Sequence, residues 1–125
     1  MKVLRKLDLW APPLALMALI FFLSAQPSLN TGLGWIDHVA RKLAHASEYA
    51  LLLFLWWRAL RTVMDRSRAL VPALVIALGY AATDEVHQRF VSGRHSTWVD
   101  VLIDSMGAAL AALLLYRSQT REVAL

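Results

Sequence analysis

Apolar residues along this chain gather into four long runs separated by polar stretches. The runs cover about residues 9–24, 43–60, 69–86 and 99–116. A helix needs about 17–25 mostly apolar residues to cross a bilayer, and each run reaches or approaches that length. Between the first two lies Gln26, Pro27, Ser28, Asn30, Gly32 and Gly34, a composition that breaks a helix. Arg58, Arg61, Arg66 and Arg68 mark a short basic loop after the second run, and a polar connection from His87 to Trp98 follows the third. Pro12 and Pro13 are expected in the first turn of the first helix, where a missing N–H is tolerated. Trp56 and Trp57, near the far end of the second run, are expected to act as interface anchors. The pattern predicts an all-α membrane protein, a four-transmembrane-helix antiparallel bundle forming one domain over 1–125.

Composition agrees with this reading. The chain is 58% hydrophobic and only 18% charged, far from the balance of a soluble domain. Its net charge of +4 does not mark a nucleic-acid binder, because the basic residues are dispersed among apolar runs and form no patch. Disulfides and thiolate chemistry are excluded by the absence of cysteine. A basic start followed by Leu14 to Leu23 has the outline of a signal peptide. Cleavage after Ala25 would put bulky Leu23 where a small residue is wanted, so a retained first span is expected.

Charge placement then orients the chain. With four spans both termini share a side, and that side, with the second loop, carries nine Lys and Arg residues against four on the other. The positive-inside bias therefore predicts cytoplasmic termini in a multi-pass inner-membrane protein. All four histidines and six of the nine acidic residues then fall on the outer side. That side has the make-up of a site, whereas the cytoplasmic side carries orienting charge.

Three elements supply the candidate chemistry. At the start of the second run, Lys42, His45 and Tyr49 project from one helical face, with Glu48 on its flank. These residues equally suit a bland role, with Lys42 snorkelling, His45 bonding a carbonyl and Tyr49 anchoring the interface. At the end of the third run, Asp84, His87 and Gln88 share a face, and Glu85 and Arg89 have ion-pair spacing. Adjacent carboxylates at a membrane edge are costly without partners and mark a functional candidate, or a network tying loop to helix ends. In the fourth run Asp100, Asp104, Gly107 and Ala111 form a narrow stripe. Gly107 and Ala111 are a small-xxx-small pair that lets another helix approach closely, so the packing face carries two carboxylates inward. Arg94, beside a turn at Gly93, is suited to clamp an anion or to pair with an aspartate.

Acids with imidazoles can bind a divalent metal, and Asp84 with His87 has a permissible spacing for it. The same groups can serve as general acid and base. No nucleophile elbow, phosphate-binding loop or His-Glu-x-x-His pattern is present. The residues singled out are His45, Asp84, Glu85, His87 and Asp104 for catalysis, and Lys42, Tyr49, Gln88, Arg94 and Asp100 for substrate.

Taken together, these elements resemble the VanZ-like family, membrane proteins named for a teicoplanin-resistance determinant. The resemblance runs through Ser24-Ala-Gln26-Pro27, Lys42-x-x-His45-x-x-x-Tyr49, Thr83-Asp84-Glu85-x-His87-Gln88-x-Phe90-Val91-x-x-Arg94 and Asp100-x-x-x-Asp104-x-x-Gly107. The family pattern usually sets an Asp directly before the Lys of the second element. Here Arg41 stands there and the nearest acid on that side is Asp37, so that Asp–Lys pairing is not carried over. The resemblance implies a bacterial membrane location without a settled activity.

Three functions follow as expectations. One is a hydrolase or transferase on an amphiphilic, lipid-linked envelope substrate, with Arg94 and Lys42 holding an anionic group and His45 or His87 moving protons. Another is a non-catalytic module binding a lipid head group, glycopeptide or envelope protein; a contribution to glycopeptide tolerance goes with the first expectation. The third, an ion-coupled carrier, is disfavoured because the charges gather at one end and not at the midplane.

Overall fold

The computed structural model describes residues 2–24, 34–90 and 98–124, with backbone alone for Ser24, His38 and 121–124. It consists of α1 (Lys2–Ser24), α2 (Trp35–Leu60), α3 (Leu70–Arg89) and α4 (Trp98–Ala124), and the described residues contain no strand. Every helix outruns the apolar run that predicts it. Hydropathy marks the part of a helix that avoids water, whereas the backbone continues until something breaks it. Gly34, at a φ of 61°, starts α2 eight residues before its apolar run, in a conformation that side chains disfavour.

The prolines show the same difference. Because α1 begins at Lys2, Pro12 and Pro13 lie inside the helix and not in its first turn. Proline at 12 has no N–H for the carbonyl of Asp8, four residues earlier. Arg58 of α2 fills the gap, donating from Nη2 to that carbonyl. The same guanidinium lies 3.8 Å from the Asp8 carboxylate. Pro72 falls in the first turn of α3, where its ring costs nothing.

Residue pairs give the helix directions. Asp8 with Arg58 and Trp10 with Trp56 set α1 antiparallel to α2. Lys42 with Asp100 and His45 with Asp104 advance together, so α2 and α4 run parallel and share the most extensive packing. Tyr80 donates to the Met17 carbonyl at 2.5 Å and His87 stacks on Phe21, which makes α1 and α3 parallel too. Sequence neighbours are therefore antiparallel, and α2 and α3 lie between α1 and α4, which do not touch among the described residues.

A core forms where the helices meet. Tyr49, Leu52, Leu53 and Trp57 of α2 pack on an alanine stripe of α3, Ala73, Ala77 and Ala81, with Ile20 and Ala108 closing the sides. Small residues at four-residue intervals let helices approach without large side chains between them. Outside this core, Phe21, Phe22, Val71, Val75, Leu110, Leu113 and Leu114 are exposed. An apolar exterior of that extent suits lipid better than water. Two helical segments, Lys2–Leu23 and Trp98–Thr120, are long and apolar enough to cross a membrane.

One end of the bundle is fastened by backbone carbonyls. The Trp57 indole and the Gln119 amide each donate to the carbonyl of Arg66 at 3.1 Å, and the guanidinium of Arg61 lies 4.8 Å from the Trp57 ring centre. Trp57 is therefore a buried strut for the 61–69 connection and not an exposed anchor. Burial decides this, because its ring belongs to the core between Phe54 and the connection while its N–H needs an acceptor.

Candidate functional site

The opposite end holds the polar residues. Lys42, His45 and Tyr49 lie about one turn apart on α2 and face inward, and α4 presents Asp100 and Asp104 in matching register. Lys42 Nζ meets Asp100 Oδ1 at 2.5 Å. One turn deeper, His45 Nδ1 stands 3.7 Å from Asp104 Oδ1 and 3.9 Å from Glu48 Oε2. Next along, Gly107 rests on Ala46, where an added β-carbon would lie 2.1 Å from the carbonyl oxygen. The glycine allows α4 to come close enough for its carboxylates to reach α2.

Helix α3 continues its alanine stripe into Asp84, Glu85 and Gln88, all buried. Gln88 Nε2 donates to Asp84 Oδ2 at 3.2 Å, which orients that carboxylate. Glu85 pairs with Arg89 at 3.3 Å, the expected i,i+4 contact. Tyr49 is fully buried and brings its hydroxyl among the carboxyls of Asp84 and Asp104. His45, Asp84 and Asp104 thus bring one donor atom each within 4.8 Å of one another, from three different helices.

The structure separates His87 from that group. Its ring stacks on Phe21 of α1, with centroids 4.2 Å apart and planes 6° from parallel. Spacing puts His87 near Asp84 along the helix, but the face it occupies turns toward α1. Arg94 lies outside the described residues, as do Gly93, His95 and the Gln26-Pro27 element. Asp100 and Lys42, both read from sequence as substrate groups, are paired with each other.

At the same end, α2 and α4 leave a cleft of about 520 Å³ between them. Its walls are Val39, Leu43, Ala46, Ile103, Met106 and Leu110, and Lys42 reaches its rim. The cleft has no signature in the sequence, because it depends on how two helices distant in the chain pack together.

The sequence model of the VanZ/LLP1 family matches residues 9–119, nearly the whole chain. The chain belongs to that family. Comparison with curated proteins and with solved structures finds no match. For this VanZ/LLP1 chain, the matched stretch contains every residue of the polar cluster. Tyr80 was not anticipated: it stands four residues before Asp84 and its ring centre lies 6.4 Å from that of Tyr49. That spacing is the signal by which it could have been found. Phe21, the partner of His87, had no signal in its own segment.

Proposed function

We propose that this VanZ/LLP1 protein is a four-span membrane protein of the bacterial inner membrane with cytoplasmic termini. Its polar end, on the outer side, acts as a hydrolase or transferase on an amphiphilic, lipid-linked envelope substrate. Two helices have the length and apolarity of spans, and the polar cluster itself lowers the apolarity of the others. The 20 residues of α3 still extend about 30 Å, the thickness of a hydrocarbon core.

One observation carries the enzymatic reading. A three-helix cluster of imidazole and carboxylates lies at the same end of the bundle as an apolar cleft that Lys42 helps to line. Such a site accommodates a lipid tail along Leu43, Ile103, Met106 and Leu110 while the head group reaches the polar residues. His45 is the proton-transferring group, because His87 is engaged with Phe21. Asp104 and Asp84 orient the imidazole and compensate its charge, and Lys42 with Arg94 holds an anionic head group.

A second reading is favoured by the closure of Lys42 on Asp100. There the end of the bundle is a non-catalytic module that binds a lipid head group or glycopeptide, and glycopeptide tolerance would come from sequestration. The test incubates purified protein with total polar lipid of the expression host and follows the lipids by mass spectrometry. Head-group loss or transfer is expected with the wild type and falls roughly 10²-fold or more in His45→Gln and Asp104→Asn. Equal turnover in those variants, or none in any, sinks the enzymatic reading.

A further inference from the structure

We propose that His45, Asp84 and Asp104 form a binding site for one divalent cation of the zinc–manganese class. The three residues come from α2, α3 and α4, and their donor atoms lie within 4.8 Å of one another. Ligands on a tetrahedral zinc stand about 3.3 Å apart, so the cluster needs a contraction of about 1.5 Å at most. The His45 Nδ1 to Asp104 Oδ1 separation of 3.7 Å is too long for a hydrogen bond and close to that ligand spacing.

The buried carboxylate of Asp104 is the independent observation. This residue is 4% exposed, and its Oδ1 accepts no hydrogen bond although it points into the cluster. A buried carboxylate oxygen left without a donor is costly, and a cation would remove that cost. The nearest ammonium, Lys42, pairs directly with Asp100 at 2.5 Å. Two carboxylates and one imidazole match the donor set of zinc or manganese, and three protein ligands leave a coordination position open. Gln88, donating to Asp84, is placed as an outer partner that orients this ligand.

The role of such a cation rests on the enzymatic reading above, with cation-bound water taking the proton-transferring part given there to His45, but its binding does not. The test uses full-length protein in detergent, stripped with chelator and titrated with Mn²⁺ by electron paramagnetic resonance, with Zn²⁺ as competitor. One saturable Mn²⁺ per chain is expected, displaced by Zn²⁺. Affinity is expected to fall by about ten-fold or more in Asp104→Asn and in His45→Gln. Asp65→Asn, altering an exposed carboxylate paired with Arg68 at the other end of the bundle, is expected to bind as the wild type does. Folding of each variant is checked by helical circular dichroism and elution volume, and either ligand variant suffices if the other fails to fold. Absence of saturable binding to folded wild type, or unchanged binding in a folded ligand variant, overturns the site. Lipid turnover persisting in stripped protein would overturn the metal's role and leave the enzyme; binding without turnover would do the reverse.

Discussion

Gly107 of α4 lies against the backbone of Ala46 in α2, with no room for a single added carbon. A β-carbon at 107 would sit 2.1 Å from the Ala46 carbonyl oxygen and 2.9 Å from its α-carbon. Backbone cannot yield as a flexible side chain can, so the helices would have to separate. Gly107→Ala is expected to cost about 1–3 kcal/mol, read as a lower melting temperature in detergent. Gly79→Ala, which meets nothing within 4 Å, is expected to leave stability unchanged or slightly raised. Equal effects of the two would refute the close approach.

The proline in α1 and the arginine in α2 should be coupled. Arg58 donates to the Asp8 carbonyl that Pro12 leaves without an intrahelical donor. Arg58→Gln is expected to destabilise the wild type by about 1 kcal/mol. In a Pro12→Ala background, where the helix supplies its own N–H, the same change should cost less. Additive effects in thermal unfolding would show that the two positions act independently.

The histidines should divide in function. His87→Phe keeps an aromatic ring to stack on Phe21 and is expected to retain most lipid turnover. His45→Gln is expected to lose it by roughly 10²-fold. The measurement is the lipid conversion assay on folded variants, and a reversed ranking would move the proton-transferring role to His87.

Topology can be read with reporter fusions. Alkaline phosphatase inserted in the connection near Arg66 is expected to be inactive, and active when inserted at 91–97. The opposite pattern would put the polar cluster on the cytoplasmic side.

Four helices, their order and the three chemical patches were legible in the sequence, because each depends on local spacing. Apolar runs mark segments that avoid water, and turns of 3.6 residues put Lys42, His45 and Tyr49 on one face. The Gly107 stripe was legible as well, since a small residue beside two aspartates signals a packing face. Helix ends were less legible, as the prolines of α1 and the early start of α2 show: hydropathy does not report where backbone hydrogen bonding stops.

What the sequence determined by itself is therefore a helical, apolar chain with its imidazoles and most of its carboxylates set toward one end. Only the tertiary structure decided which of those ionisable groups meet. Across helices, contact depends on register and rotation, which no spacing within one helix encodes. Asp100 thus closes on Lys42, fifty-eight residues away, and His87 turns to Phe21. Asp84 and Asp104 draw together on His45 because an alanine stripe and one glycine allow three backbones to converge.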